Sequence, residues 1–180
     1  MKQDLTETCV ESAQTYSGHL LKVYLDKITL PDGKPSKREY IRHSGACIVI
    51  AEIRPGVLVF ERQFRYAVGQ EILELPAGKL DPEDTLLGCA QRELIEETGY
   101  RASDWRHLGC LHPCVAYSSE QIEVFLARGL TPGERDLDDG EFLEVFEMSL
   151  DEAEQAVLDG RITDAKTIAC LFWARKVLKA

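Results

Sequence analysis

The sequence predicts an α+β fold, with a small antiparallel β-hairpin ahead of one main domain, and three observations predict it. Two near-continuous apolar runs, 45–53 (GACIVIAEI) and 56–65 (GVLVFERQFR), meet at an Arg54-Pro55-Gly56 turn and read as buried strands. A helical segment lies between Pro82 and Gly99, and Ser149 with Glu152 forms a capping box that opens a second helix. Further back, Pro31-Asp32-Gly33 sits between two stretches rich in apolar, aromatic and β-branched residues, as a hairpin turn should. With 180 residues the chain suits one domain with a small appendage. We divide it as 1–44, an N-terminal arm and hairpin, and 45–180, the main domain.

Taken in order, residues 1–16 are polar and without period, so a short helix and a loose arm fit equally well. The hairpin at 18–40 is too small to hold a core and must pack on the main domain or on a second subunit. After the two buried strands, 71–76 (EILELP) alternates charged and apolar residues and leads through Ala77 and Gly78 toward the helix. Gly78 permits a close or left-handed backbone there. Pro82, flanked by Asp81, Glu83 and Asp84, marks the helix start; Gly99 ends it, and Leu87, Ala90 and Leu94 form the flank that would pin it to a sheet. A strand is expected at 121–127, an acid-dense polar loop at 131–140 and another strand at 141–148. The capped helix runs to about Leu158 before Gly160, and a last helix over about 165–178 offers Ile168, Leu171, Phe172 and Val177 as its buried side.

Composition narrows the function classes. Apolar content of 44% and charged content of 29% are those of an ordinary globular protein. A net charge of −10 argues against a nucleic-acid or anionic-membrane binder, since both partners want a basic patch. The N-terminus has no apolar run of signal-peptide length and no membrane-spanning stretch appears, so a cytoplasmic protein is expected. Six cysteines without a C-x-x-C pair read as free thiols of a reducing compartment. Cys110, His112 and Cys114 alternate and would share one face of a strand, but no second cluster completes the four ligands of a structural zinc site.

Chemistry concentrates in 78–100. Glu93, Glu96 and Glu97 stand at i, i+3 and i+4, so a helix projects all three carboxylates from one face. Like charges at i, i+4 cost an isolated helix roughly 0.2–0.5 kcal/mol per pair. A solvated acidic face is the plain reading in a chain with 31 acidic residues; a hard divalent cation such as Mg²⁺, which favours oxygen ligands, is the functional one. The register decides between them. The stretch resembles the Nudix box, G-x5-E-x7-R-E-U-x-E-E-x-G-U with U apolar, through Gly78, Arg92, Glu93, Leu94, Glu96, Glu97, Gly99 and Tyr100. Asp84 stands where the family has Glu.

The resemblance covers roughly residues 45–178 and implies the Nudix fold, a mixed β-sheet sandwiched between α-helices. It implies metal ligation by Glu93 and Glu97 with the Ala77 carbonyl, and candidate contributions from Glu96 and Glu141, to Mg²⁺ or its substitute Mn²⁺. Gly78, Asp84 and Arg92 take supporting roles, Arg92 as a group that orients the carboxylates. Arg62-Gln63-Phe64-Arg65, followed by Glu74-Leu75-Pro76-Ala77-Gly78, is similar to the branch of ADP-ribose pyrophosphatases and nucleoside diphosphate sugar hydrolases. Two arginines near a metal site suit phosphate oxygens, though either could instead pair with a box glutamate or another acid.

Arg62, Arg65, Glu74, Glu120 and Lys166 are the expected substrate-binding residues, with Lys166 in an I-T-D-A-K-T segment that also resembles the branch. The resemblance implies a general base from the late loop, Asp139 or Glu141, with Glu96 or Glu97 as the alternative. Val115 and Ala116 stand where ADP-ribose enzymes carry Pro and Gly. The expected partners are a small nucleoside diphosphate sugar and a second copy of the chain in a homodimer built on the N-terminal sheet. The rival readings are a GDP-mannose or broad NDP-sugar hydrolase and, in another class, a Nudix module that binds nucleotide sugars without cleaving them.

Overall fold

Two sheets and three helices make up the computed structural model, which describes residues 3–137 and 139–178. The outer ends of the two expected domains, 1–2 and 179–180, lie outside the described residues. The first sheet is antiparallel, in the order β1 (Thr8–Ser17), β2 (Lys22–Thr29), β3 (Pro35–Ile41). The expected hairpin is β2–β3. Its neighbour β1 corrects the helix-or-arm expectation for 1–16: ten residues pair along β2, and all ten side chains are exposed. A strand with neither face buried has no reason to alternate, so periodicity could not reveal it.

The second sheet holds β4 (Ala46–Arg54), β5 (Val57–Arg65), β6 (Gln70–Glu74), β7 (Ala77–Lys79), β8 (Asp104–Leu111), β9 (Ile122–Arg128) and β10 (Leu143–Ser149). Its spine runs β10-β5-β4-β9-β8, with β6 on β5 and β7 on β4; β4 and β9 are parallel and the other pairs antiparallel. This is the expected mixed sheet. β8 ends at Leu111, so Cys110, His112 and Cys114 do not share a strand face.

Helix α1 (Leu86–Thr98) covers one face of this sheet, and α2 (Leu150–Leu158) with α3 (Ala165–Val177) covers the other. Strand alternation sorts the core between them. Cys47, Val49, Ala51 and Val59 pack with Cys89, Ala90 and Leu94 of α1. Ile48, Ile50, Leu58 and Phe60 pack with Ala153, Ala156, Cys170, Leu171 and Ala174 of α2 and α3.

Three details differ from expectation. The α1 helix starts later than Pro82: Thr85 is its N-cap, accepting from the Gly88 N–H at 3.0 Å, while residues 81–84 form a turn. Leu87 is exposed on that helix. On α3 the buried side is Thr167, Cys170, Leu171 and Ala174; Ile168 and Phe172 point outward. Small residues there let α3 lie close to Ala153 and Ala156 of α2. The Ser149–Glu152 capping box forms with both of its hydrogen bonds.

Candidate active site

A pocket of about 600 Å³ opens between the second half of α1, the start of α3 and the segment that joins the two sheets. Its acidic wall is α1. Glu93 and Glu97 are buried there, at 8% and 4% exposure, and Glu96 stands at the rim. The backbone makes room for them: a Cβ on Gly78 would fall 1.9 Å from the Glu93 carboxyl carbon, so any side chain at 78 would displace that carboxylate. This is a close approach and not the left-handed alternative, for Gly78 is not among the positive-φ glycines. From the same short strand the Ala77 N–H donates to Glu97 at 3.0 Å.

Arg92 holds the acids in place. One guanidinium nitrogen meets Glu93 and Glu96, each at 2.9 Å, and the other donates to Asp84 at 2.9 Å and to the Lys79 carbonyl at 3.0 Å. Asp84 is thus a clamp on Arg92, a task a carboxylate one methylene shorter than Glu performs. Arg92 in turn keeps the Asp84 carboxyl below its ordinary range through that hydrogen bond.

The same pocket is lined by two cations, Arg65 and Lys166. Arg65 grips Glu74 with two parallel bonds of 2.6 and 3.0 Å, and Lys166 bonds the same carboxylate and Asp164. Burial alone would push Glu74 up, but Arg65 and Lys166 hold it below the usual carboxylate range. Asp164 caps α3 by accepting from the Thr167 N–H at 2.9 Å, and the buried Thr167 hydroxyl accepts from the Leu75 N–H at 3.0 Å. One short segment therefore aims Lys166 into the pocket and braces the backbone ahead of Ala77 and Gly78.

The acidic wall lacks an equivalent partner. Glu61 on β5 is 3% exposed and lies beside Glu97. Burial raises the carboxyls of both well above the ordinary range; the charge of Glu61 raises Glu97 further, while Glu97 lowers Glu61. Burial also lifts Glu93 to about 7 against the opposing pull of Arg92. Such a set of oxygen donors, with too little positive charge among them, fits a hard divalent cation. Among the described residues no three ligand-type side chains already converge as a cage.

Comparison with known proteins identifies the scaffold. The family model for the NUDIX domain matches residues 41–170. This chain belongs to the Nudix hydrolase family. It is 37% identical over 167 residues to an ADP-ribose pyrophosphatase of Bacillus subtilis (strain 168), covering 92% of this chain and 90% of that one. It is likewise 37% identical over 164 residues to a methanol dehydrogenase activator of Bacillus methanolicus, with 90% and 89% covered. The crystal structure of an ADP compounds hydrolase superposes with a TM-score of 0.86 over 97% of this chain and 96% of that one at 22% identity, a likeness of fold.

On the Nudix scaffold, Arg65, Ala77, Gly78, Arg92, Glu93, Glu96, Glu97, Glu120, Glu141 and Lys166 all line the pocket, and Asp84 stands behind Arg92. Three further expected residues do not line it. Glu74 is buried behind Arg65 and Lys166 and orients them. Arg62 lies on the outer side of β5, paired with Glu71 and with Glu144 directly across on β10, which is the ion-pair alternative. Asp139 is exposed in a turn two residues before Glu141.

Two lining or adjoining residues escaped the sequence reading. Glu61 had a signal, since Val57, Val59 and Glu61 alternate and the third must follow the first two inward. His43 had none; its Nδ1 accepts from the Gly45 N–H at 3.0 Å, leaving Nε2 3.9 Å from Glu120.

Proposed function

We propose that this Nudix hydrolase cleaves the pyrophosphate of ADP-ribose or a related nucleoside diphosphate sugar, giving a nucleoside monophosphate and a sugar phosphate. The observation that carries the proposal is that one pocket is lined both by buried carboxylates of α1 and by the cations Arg65 and Lys166. A diphosphate needs both, cations for its oxygens and a metal centre for its reaction. The similarity to an ADP-ribose pyrophosphatase over most of both chains supports the substrate class.

Glu93 and Glu97 would hold Mg²⁺, with the Ala77 carbonyl and Glu96 beside them. When bound, the metal supplies a water of lowered pKa and neutralises phosphate charge. The protein does the rest. Arg65, kept in a fixed plane by Glu74, presents its remaining N–H groups to a phosphate; Lys166 adds a point charge. Glu141 would be the late-loop acid that takes the proton of the attacking water, a reading supported by its place in the pocket lining, where Gln63 donates to it at 3.2 Å. Glu120 and His43, 3.9 Å apart in the pocket lining, would meet the sugar or base.

The N-terminal sheet would join two copies. β1 exposes every residue, Val10 and Tyr16 included, and an uncovered ten-residue edge strand is a ready surface for a second chain. The described residues include no helix long and apolar enough to cross a membrane.

The test is a substrate panel of ADP-ribose, GDP-mannose and other nucleoside diphosphate sugars with Mg²⁺, ranked by kcat/KM, with products weighed after reaction in ¹⁸O water. Release of a nucleoside monophosphate carrying or lacking ¹⁸O locates the bond broken. Tight binding of ADP-ribose without product, in Mg²⁺ and in Mn²⁺, would replace hydrolysis by a binding role.

A further inference from the structure

Glu61 is a buried acid for which the reaction above has no use. It stands on β5 two residues after Val59, so it faces α1 along with the core residues of that side. Directly across on β6 is Glu74, and on β10 Val145. The two opposed acids are equally buried at 3% exposure but differ in company. Glu74 has Arg65 and Lys166, while no Lys, Arg or His among the described residues forms an ion pair with Glu61, whose Oε1 takes no hydrogen bond at all. Another carboxylate, Glu97, lies beside it, and the one cation whose charge reaches it is Arg65, already engaged by Glu74.

A buried carboxylate oxygen without a donor is costly, and an acid set against an acid doubles the problem. Valine occupies the cross-strand place at 145, so nothing in the sheet requires a charge at 61. A divalent cation placed where Glu61 and Glu97 meet would offset the charge of both.

We propose that Glu61 is a further carboxylate of the metal centre, supplying an oxygen to the divalent cation held at Glu97 from the strand side of the pocket. The inference rests on the metal assignment under Proposed function. Glu93 and Glu97 then approach the cation from α1 and Glu61 from β5, so metal binding ties the helix to the central sheet.

Isothermal titration of Mn²⁺ into the metal-free protein tests this, alongside the thermal shift that Mn²⁺ produces, for wild type, Glu61→Gln, Glu61→Val and Glu97→Gln. Glu61→Gln and Glu61→Val are expected to weaken Mn²⁺ binding by roughly 10- to 100-fold, the range for supporting groups of metal sites. Their metal-free Tm should match or exceed that of wild type while the Mn²⁺-induced rise in Tm is largely lost. Wild-type Mn²⁺ affinity in both Glu61 variants, with weakened binding in Glu97→Gln, would overturn this proposal alone. Unchanged affinity in Glu97→Gln would overturn the metal assignment itself. Loss of the folded state in both Glu61 variants without metal would also count against the proposal, by showing that the carboxylate serves the fold.

Discussion

The two faces of the seven-stranded sheet are made by the same strands and have opposite characters. Toward α2 and α3, β4 and β5 send Ile48, Ile50, Leu58 and Phe60 into an apolar layer closed by alanines, a cysteine and a leucine. Toward α1, the same two strands begin alike with Val49, Ala51 and Val59, but the layer then changes into Glu61, Glu93 and Glu97. One face holds the molecule together. The other gives up apolar contact at one end to concentrate negative charge, and the difference teaches where stability and chemistry are separable.

Glu97→Gln should break the comparison most severely. It keeps the volume of the side chain and removes the charge, so the fold survives. If the carboxylate holds the catalytic cation, kcat falls on the order of 10²–10³-fold or more, the scale for removing one group that stabilises a transition state. Circular dichroism and steady-state rates on ADP-ribose would measure the two effects together. Rates near wild type would remove Glu97 from the metal centre.

Leu171→Ala makes the complementary cut on the apolar face. Leu171 is 3% exposed among α2, α3 and the sheet, and its truncation should cost about 2–5 kcal/mol. For a chain of this size each kcal/mol lowers Tm by about 2–4 °C. Well below that melting point, kcat per folded molecule should stay within a factor of about two. A large fall in kcat at full helicity would show that the two faces are coupled.

The third test uses pH. Glu61, Glu93 and Glu97 have folded-state pKa values raised by burial, Glu93 to about 7. Such groups favour the folded state fully below the ordinary carboxylate pKa of ~4.3, where they are protonated in both states. The unfolded chain releases those protons first, so stability is lost as pH rises from about 5 through 7 and beyond. Metal-free protein should therefore melt lower at pH 8 than at pH 5.5, and saturating Mg²⁺ should flatten the slope. A metal-free Tm that rises between those pH values would contradict the reading of the acidic face.

Sequence made the acidic face legible only in part, and particular residues show why. The three α1 glutamates and Arg92 were readable because helix geometry ties spacing to direction, whatever the rest of the chain does. Glu61 was readable in principle from alternation, yet an acid at the end of an apolar strand looks the same whether it turns to water or inward. Arg62 and Arg65 differ by three residues and therefore point to opposite sides of β5; only the second meets the pocket. On α3 the apolar residues Ile168 and Phe172 drew attention away from Thr167, Cys170 and Ala174, because close helix packing selects small side chains over hydrophobic ones. β1 left no mark, since every one of its side chains meets solvent.

The smallest effect discriminates most finely, because it compares like with like. Thr85 caps α1 and Ser149 caps α2, each accepting a backbone N–H from the first turn of its helix. Replacing either by Ala should cost about 1 kcal/mol of stability, within the usual range for cap removal. The two losses should have different consequences. Fraying at Ser149 loosens a helix that touches only the apolar face, so Ser149→Ala should leave kcat/KM unchanged. Fraying at Thr85 loosens the turn that holds Asp84 against Arg92, and through Arg92 the orientation of Glu93 and Glu96. Thr85→Ala should therefore lower kcat/KM several-fold and raise the Mg²⁺ concentration needed for half-maximal rate. Matched melting curves with unmatched Mg²⁺ titrations would confirm that α1 is held in place for its carboxylates. If both variants titrate like wild type, Arg92 orients the acids without help from the start of the helix.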